Sequence, residues 1–572
     1  MPGRAPAKPV GVLWHAALVV ALCVAAFINA LGNGFHIDDR ARVADNPEIE
    51  AFYPPWRHFV DPTTSSTQAN TRQYRPLLPL SLSINYAISG DSRVGFRIGN
   101  LLLQICASWV VYLLVRELLH RLAGARAGST ALLVAALFAV HPISGVPVNY
   151  ICARDLLLMQ VFLGASVWTY LRMRRIGETP LRWAVCLSCY LLSLLAKKNG
   201  IVLPALIGAV ELLWFTGSWR RLWRVLPFGA VAAALMAFVR FGLGFSDLAN
   251  VVHRTDSLTY FAHQLQHHVF YYLRNFVWPV PMRQMPQLDI ETWRIAVGAS
   301  VAAAAVGVAV WQRRRRPLLA LCIVAYALML SPTSSFLPMH PETTPYRPYP
   351  GSPWLFLGVA MALGAWPRVQ RAVFGAAIAL GLALSLYLNP IWSTEQTLYR
   401  HSVAYGGNAY AHCGLAASLP DGDEKRQLLE RALELEPGYV DAHLHLGLMQ
   451  IRVGDRATGL SRLRHTVALR PDSAEANYWL SVGLAKAGRA EEARQAAMES
   501  ARLDPHSVRN RDAASRHAFE LGMQAMRRKD YARAVTELEA ALRVSLPGPN
   551  IATLQRALAV CRQRASRTGS TR

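Results

Sequence analysis

Charged residues are scarce in this sequence: they make up 17% of its 572 residues, whereas 53% of the residues are hydrophobic. This balance excludes a soluble protein of ordinary class. Acidic residues are the scarcer kind, with 36 Asp and Glu against 60 Lys and Arg, and the formal net charge is +24. Because the basic residues gather in short loops between apolar runs, the charge favours contact with anionic lipid headgroups over nucleic acid.

Cysteine is also sparse, with eight residues in the whole chain. Five of them lie in apolar runs, where they are expected to pack as small apolar side chains, so no disulfide framework is predicted. The spacing of Cys186 and Cys189 is CxxC, but no alternation of strand and helix around it supports a redox site.

Long apolar runs are absent after about residue 389 and recur throughout the part before it. Each is near the roughly 20 residues that a helix needs to cross a bilayer. The runs predict about eleven membrane helices, near residues 10–31, 94–119, 129–148, 156–171, 183–195, 200–215, 226–241, 293–311, 317–329, 352–365 and 373–388. Residues 261–280 could hide another hairpin, and the first run could instead be a cleaved secretory signal.

Orientation follows from the Arg and Lys residues, which resist translocation when they lie in short loops. They precede the first predicted helix and follow every second helix after it, as in Arg313–Arg316. The amino terminus is therefore predicted to be cytoplasmic, in a multi-pass protein of the cytoplasmic (inner) membrane. The carboxyl-terminal region is predicted to be extracytoplasmic, or periplasmic.

The part after the membrane runs contains an internal repeat. Pro437, Pro471 and Pro505 are each separated by 34 residues, which is the tetratricopeptide period. The pattern predicts an all-α chain: a polytopic membrane domain over residues 1–400, followed by an α-solenoid over residues 401–572. Such a solenoid offers a groove for a peptide or protein surface, or it serves as an appendage without a ligand.

The first predicted outer loop carries two adjacent carboxylates, Asp38 and Asp39. Transfer from a lipid-phosphate donor needs a carboxylate that deprotonates the acceptor and cations that neutralise the leaving phosphate. The outer loops supply candidate cations, namely Arg40, Arg75, Arg154, Lys197, Lys198 and Arg347, and candidate hydrogen-bond donors, namely His36, His141, His340 and Tyr349. The alternative is that these loop charges are simply solvated.

Two further groups leave their interpretation open. Asp155 follows Arg154 directly where a helix enters the bilayer, so the two side chains could neutralise one another. His263, His267 and His268 have a loosely metal-like spacing. Since no carboxylate or thiolate is fixed nearby, an interfacial helix face is preferred to a metal site.

Together these residues resemble the multispanning GT-C glycosyltransferases, in particular the transmembrane, tetratricopeptide-containing O-mannosyltransferases of animals and their bacterial relatives. The motifs that carry the resemblance are Phe35-His36-Ile37-Asp38-Asp39 with Asn46, Tyr74-Arg75-Pro76-Leu77, Asn100, His141-Pro142 with Val148, Tyr150 and Arg154, Ala196-Lys197, Ser331-Pro332-Thr333-Ser334 with Arg347 and Tyr349, and residues 389–392.

The resemblance implies a glycosyltransferase, hexosyl or pentosyl, that uses a polyprenyl-phosphate-linked sugar as donor. Asp38 or Asp39 would be the catalytic base, and the donor would be bound by Arg75, His141, Arg154, Lys197, Arg347 and Tyr349. The acceptor would be a protein or glycan held by the repeats. The pattern indicates no resident metal, and it leaves a divalent cation requirement, the sugar, the acceptor and the oligomeric state open.

Two departures from the family pattern weaken this reading. Val146 stands where many relatives have Glu, and Lys198 where some have Glu. The alternative function is a noncatalytic, membrane-anchored scaffold whose repeats assemble envelope proteins.

Overall fold

The computed structural model describes residues 9–68, 71–123, 126–215, 219–245, 256–339, 341–505, 507–546 and 549–569. These residues form helices and turns, with no β-strand among them, so the predicted all-α fold class is confirmed. Two compact units follow one another along the chain, Met1–Gly406 and Gly407–Arg572.

The first unit contains the long apolar helices. Its α-helices are α1 Pro9–Phe27, α2 Arg57–Val60, α3 Leu77–Ser89, α4 Arg93–Ala123, α5 Ala127–Val140, α6 Pro142–Asn149, α7 Arg154–Ile176, α8 Pro180–Ala196, α9 Leu203–Ala209, α10 Leu226–Ala237, α11 Ser257–His267, α12 Arg274–Val277, α13 Thr292–Gln312, α14 Pro317–Leu330, α15 Ser352–Ala362, α16 Pro367–Leu388 and α17 Glu395–Ala404. Shorter π-helical turns extend α9, α10 and α11, over Val210–Trp214, Phe238–Gly242 and His268–Leu273.

Six helical stretches among the described residues are long and apolar enough to cross a membrane. They are Gly11–Ala30, Arg93–His120, Ile151–Ile176, Trp219–Gly242, Thr292–Gln312 and Pro367–Trp392. The helices α3, α8 and α14 are apolar but shorter. Except for residues 129–148, each predicted span coincides, within a few residues at its ends, with one helix or with one helix and its 3₁₀ or π extensions, and the multi-pass character is clear. The number of crossings stays a prediction.

One predicted span, residues 129–148, is not a continuous helix. It is divided into α5 and α6, which are bent by 52° relative to one another. Pro142 explains the break, because proline disfavours the helical conformation in the residue before it, and His141 is extended with ψ 137°. The His141 ring then caps α6 by accepting a hydrogen bond from the Ile143 amide at 3.2 Å.

The centre of the first unit is α5, which packs against α1, α4, α15 and α16. Its sequence is apolar on every side, which is typical of a helix with no face toward water. The helices α4 and α7 pack on one another and carry buried polar side chains at the ends that adjoin the acidic loop. This arrangement fixes the positions from which the outer loops start.

The second unit is a series of paired helices, as the repeat predicts. Its helices are α18 Ala409–Ala417, α19 Asp423–Leu435, α20 Val440–Arg452, α21 Arg456–Leu469, α22 Ala474–Lys486, α23 Ala490–Leu503, α24 Val508–Arg527, α25 Tyr531–Val544 and α26 Pro549–Gly569. Successive helices pack on each other along the whole series. Small residues lie at the crossings: a Cβ added to Gly447 would meet the Gly459 carbonyl oxygen at 3.0 Å.

The turns inside the helix pairs explain part of the sequence pattern. Gly454 and Gly488 both adopt a positive φ, of 100° and 77°, directly after the first helix of a pair. Glycine ends helices in this conformation at little steric cost. In the next pair the same place is taken by Lys529, with φ 63°.

Candidate active site

The two carboxylates of the acidic loop lie in opposite environments. The loop follows α1 and a short 3₁₀ turn, Ile28–Ala30. The Asp38 side chain is 39% exposed, whereas Asp39 is wholly buried. Two adjacent residues of one type are therefore suited to different tasks.

Asp39 is used to hold the backbone of the site. Its Oδ2 accepts a hydrogen bond from the His36 amide at 3.1 Å, and its Oδ1 accepts one from the Cys152 amide at 2.8 Å. Burial raises its pKa to about 6, although the bonds from Cys152 and His36 act in the opposite direction. Asp39 thus ties the acidic loop to the segment between α6 and α7.

Asp38 points to a different neighbour, Arg42, at a separation of four residues. The Asp38 Oδ2 is 3.5 Å from the Arg42 Nε. Arg42 is buried, and its Nη2 donates to the Thr71 carbonyl at 2.6 Å, while its Nη1 has no hydrogen-bond partner among the described residues. Asp38 is therefore a carboxylate that solvent or an acceptor can reach, beside a buried cation with unused donor capacity.

A second ionic group, formed by Arg75, Asp155 and Lys197, lies within electrostatic reach of the first. The Asp155 Oδ2 accepts a hydrogen bond from the Lys197 Nζ at 2.8 Å and another from the Arg75 guanidinium. Asp155 is buried, and its Oδ1 has no hydrogen-bond partner among the described residues. The suggestion that Asp155 neutralises Arg154 is wrong, because its carboxylate faces these two cations instead.

Lys197 is a buried cation at the end of α8. Burial, followed by repulsion from Arg75, lowers its pKa to about 8, while Asp155 acts to raise it. The Lys197 Nζ lies 5.9 Å from the centre of the Tyr346 ring. Tyr346 is in turn within electrostatic range of both Asp38 and Asp155.

The two ionic groups form one cluster, since Arg42 interacts electrostatically with Asp38, Asp155 and Lys197. The cluster joins three cations to two carboxylates, and two of its buried polar atoms have no hydrogen-bond partner in the part of the chain that the structure describes. We call it the ionic cluster; its members are Asp38, Arg42, Arg75, Asp155 and Lys197. A cluster with an excess of positive charge at the base of a loop is suited to bind an anion such as a phosphate.

Two other predicted donor-binding cations, Arg154 and Arg347, already donate hydrogen bonds to oxygen atoms of the protein away from the ionic cluster. Arg154 donates to the Asn100 and Asn85 side chains at 2.6 and 2.8 Å, and also to the carbonyls of Phe96 and Ser81. Arg347 donates to the carbonyl of Thr333 at 2.8 Å and to those of Pro341 and Glu342 at 2.5 Å each. Both guanidinium groups hold the fold, and the structure does not bring them into the ionic cluster.

The remaining predicted donor-binding residues are also part of the core. The Tyr349 hydroxyl donates to the Gln104 Oε1 at 2.7 Å, and its ring packs against Phe138. His141 caps α6, and its Nε2 donates to the Phe276 carbonyl at 3.2 Å. His340 lies outside the described residues.

The histidine-rich stretch turns inward. His263 Nδ1 lies 3.2 Å from Glu342 Oε2, and His267 is buried. The stretch is therefore not the exposed interfacial helix face that the sequence favoured, because helix α11 packs against α13. Within the described ranges no three or more His, Cys, Asp or Glu side chains are grouped so that they could hold a metal ion.

Some members of the site were missed by sequence reasoning. Arg42 was not singled out, although its place four residues after Asp38 is a usual spacing for an ion pair on a helical turn. Tyr346 gave no signal beyond its place next to Arg347. The partnership of Asp155 with Lys197 joins residues 42 positions apart and has no local signature.

An open apolar cavity of about 630 Å³ lies beside the segment that follows Lys197. It is formed by apolar residues of α9 and its π extension, of the 219–226 stretch and of α14: Pro204, Ala205, Gly208, Ala209, Leu212, Leu213, Leu222, Val225, Leu226, Val324 and Leu328. A groove with such walls suits a hydrocarbon chain.

Comparisons with known proteins agree with the motifs. A human protein O-mannosyl-transferase, TMTC3, is 26% identical over 199 residues, which is 34% of this chain and 21% of that protein. Human TMTC4 is 28% identical over 225 residues, 36% of this chain and 30% of the relative. Drosophila melanogaster Tmtc2 is 32% identical over 190 residues, 32% of this chain and 20% of the relative.

The chain is similar to protein O-mannosyltransferases. The expected resemblance is confirmed, although the chain spans less than a third of the length of these curated relatives. No protein-family model matches the sequence.

Two solved structures show a weaker likeness to the chain. A MamA RS-1 double mutant has 18% identity and a TM-score of 0.22, covering 26% of this chain and 82% of its own. The Cut9–Hcn1 complex of the APC/C has 12% identity and a TM-score of 0.25, covering 85% of this chain and 93% of its own. These TM-scores are below those of a shared fold.

Proposed function

We propose that this protein is a membrane glycosyltransferase that moves a sugar from a polyprenyl-phosphate donor to a hydroxyl group of a protein. The observation that carries the proposal is the ionic cluster, in which the accessible carboxylate of Asp38 lies beside the buried guanidinium of Arg42, and Arg42 in turn interacts electrostatically with Asp155 and Lys197. The similarity to protein O-mannosyltransferases supports it, and it favours a mannosyl group and a Ser or Thr acceptor.

In the proposed reaction Asp38 acts as the general base. It takes the proton of the acceptor hydroxyl, whose oxygen forms a bond to the anomeric carbon of the sugar. The bond between that carbon and the phosphate oxygen breaks, the configuration inverts, and the electron pair leaves with the polyprenyl phosphate. Arg42, Arg75 and Lys197 neutralise the phosphate, since charge-assisted hydrogen bonds to an anion are strong in a site shielded from water.

Asp155 and Asp39 support this reaction without touching the sugar. Asp155 holds Arg75 and Lys197 at a common point through its Oδ2. Asp39 fixes the loop that presents Asp38. The donor cations are thus Arg75 and Lys197 together with Arg42, while Arg154, Arg347, His141 and Tyr349 stabilise the framework.

The apolar cavity is the proposed place of the polyprenyl chain. Its first wall residues, Pro204 and Ala205, follow Lys197 closely along the chain, so a lipid in the cavity would have its phosphate near the cation at the end of α8. Hydrocarbon of the donor would then replace membrane lipid there at little cost.

The remaining elements of the proposal concern location and acceptor. The bias of Arg and Lys supports an extracytoplasmic position for the acidic loop and the repeat unit. The repeats would recruit the acceptor protein, which is the usual task of such solenoids.

The test is a comparison of two Asp-to-Asn variants in one loop. Asp38→Asn should lower transfer by at least about 10²-fold, while Asp45→Asn, an exposed carboxylate of the same loop, should not. Transfer is followed by mass spectrometry of proteins from cells that carry each variant at equal level. Full modification with Asp38→Asn would reject the catalytic role and favour the noncatalytic scaffold.

A further inference from the structure

The acidic loop is fastened to the segment that follows the last long apolar helix. The Gly34 amide donates to the Ser393 carbonyl at 3.0 Å. His36, which is wholly buried, lies with its Nε2 2.5 Å from the Trp392 carbonyl oxygen and donates to it. These contacts join residues about 360 positions apart and hold the start of the loop.

Glu395 completes this attachment at the acidic pair itself. Its Oε1 accepts a hydrogen bond from the Ile37 amide at 3.1 Å, and its Oε2 lies 3.5 Å from the Arg40 Nε. One carboxylate therefore contacts the residue before Asp38 and the residue after Asp39. Since the Arg40 side chain is 66% exposed, the ion pair adds little, and the bond to the amide is the stronger of the two.

The backbone of Ile37 explains why that bond matters. Ile37 adopts φ 52°, which lies in the left-handed region and is unusual and strained for a β-branched residue. Such a conformation persists only where the surroundings enforce it. The bond that Glu395 accepts comes from the amide of this same residue, and Asp38 is the next residue along the chain.

The sequence around Glu395 indicates that its side chain is held in a fixed position. Glu395 is the first residue of α17, whose start is closed by a capping box between Thr394 and Thr397. A negative side chain in the first turn is also stabilised by the helix dipole. The carboxylate is only about one-quarter exposed, so it is not a mobile surface group.

We propose that Glu395 is a positioning residue, which holds Ile37 in its left-handed conformation and thereby directs the Asp38 carboxylate toward the acceptor. This inference rests on the proposed function of Asp38. It assigns to Glu395 no contact with either substrate.

Three variants of the full-length protein test it: Glu395→Ala, Glu395→Gln and, as a matched control on the same helix, the exposed Arg400→Ala. Hydrogen exchange of the amides of residues 36–40 reports the loop directly and needs no activity. Glu395→Ala should speed exchange there, Glu395→Gln should preserve most protection because its amide oxygen still accepts from Ile37, and Arg400→Ala should match the wild type.

Transfer kinetics give the second readout. Glu395→Ala should lower kcat by roughly 10- to 100-fold, as expected when a catalytic group is misdirected, with a change in the donor KM of less than about threefold. Glu395→Gln should restore most of kcat. A merely structural role would instead lower the amount of folded protein without this division between kcat and KM.

A double variant with Ile37→Gly sharpens the test. Glycine adopts a positive φ without strain, so the loss caused by Glu395→Ala should shrink at least about threefold in that background. Unchanged exchange at residues 36–40 in Glu395→Ala, or an equal loss in both backgrounds, would overturn the proposal. If the wild-type protein transferred no sugar, the proposed function would fail, and the exchange data alone would still decide whether Glu395 holds the loop.

Discussion

At the scale of single residues, the neighbours Asp38 and Asp39 show how burial separates two identical side chains. Asp39 is enclosed and accepts two backbone hydrogen bonds, whereas Asp38 remains accessible beside Arg42. A base must meet its proton donor, so accessibility assigns this task to Asp38. The sequence showed the pair but not which member is buried.

The buried Asp39 makes folding stability depend on pH. Its pKa of about 6 lies above the ordinary value of 3.8, so the folded state binds more protons than the unfolded state between these values. Stability should therefore rise as the pH falls from above 6 toward 4. Relative to Asp39→Asn, the wild type should gain about 1 kcal/mol between pH 7.5 and 5. Thermal unfolding of both proteins in detergent at the two pH values measures this, and a parallel response would refute it.

Substitution by Lys should have different effects at Arg154 and Arg75: it should lower stability at Arg154 and weaken donor binding at Arg75. The guanidinium of Arg154 serves four oxygen atoms in a fork that an ammonium cannot copy. Arg154→Lys should cost about 2–4 kcal/mol of stability. Arg75→Lys, by contrast, should fold normally and bind the lipid-linked donor more weakly. Thermal midpoints and donor-binding measurements on the two variants separate these effects, and a stable Arg154→Lys protein with lost donor binding would contradict the assignment.

The candidate site was only partly predictable from sequence. Charge bias and motif order indicated Asp38, Arg75 and Lys197, because those signals are local. The same signals indicated Arg154 and Arg347, whose guanidinium groups are occupied by carbonyl and amide oxygens. Tertiary packing decides which cation can bind a free anion and which one is bonded to a carbonyl. This cannot be inferred from residue spacing along the chain.

At the scale of elements, local sequence rules explain most helix boundaries and also the main difference from the predicted helices. The predicted span 129–148 is broken at His141, because Pro142 requires an extended residue before it. Apolar content alone could not show this break, since both α5 and α6 are apolar. The 34-residue repeat, by contrast, predicted the paired helices well, because each pair repeats the same local packing.

Lys529 is a weak point in that repeated structure. It takes φ 63° in the turn between α24 and α25, where the two preceding pairs have Gly454 and Gly488. Lys529→Gly should stabilise this helix pair by about 0.5–1 kcal/mol, because glycine pays no steric penalty there. Slower hydrogen exchange of the α24 and α25 amides at equilibrium would show it. Gly488→Ala is the matched control and should destabilise its own pair, and a lower stability of Lys529→Gly would refute the argument.

At the scale of the whole molecule, the topology sets where each part can act. The exposed Arg313–Arg316 run between α13 and α14 marks one predicted cytoplasmic loop. A reporter active only outside the cytoplasm should therefore be active when fused after Arg572 and inactive when inserted after Arg314. Activity of the second fusion would reverse the orientation, and with it the face on which transfer is proposed.

Donor chemistry and acceptor choice should divide between the two units. The ionic cluster, the apolar cavity and Glu395 all belong to Met1–Gly406, while the repeats form Gly407–Arg572. A chain ending at Gly406 keeps Glu395 and its bond to Ile37, so it should bind the lipid-linked donor with near-normal affinity. Its transfer to the natural acceptor should fall steeply, because the repeats that we propose to recruit the acceptor are removed.

A second truncation shows where the division must be drawn. A chain ending at Leu388 loses Trp392, Ser393 and Glu395, and with them the bonds to the acidic loop. It should lose transfer even to a small acceptor peptide, which the longer truncation should still modify slowly. Donor binding and peptide modification measured side by side in both purified proteins test this, with folding checked by size-exclusion chromatography in detergent. If the chain ending at Gly406 modified the natural acceptor at full rate, the repeats would not have the role given to them here. If both chains modified the peptide equally, the 392–395 segment would not have its separate role.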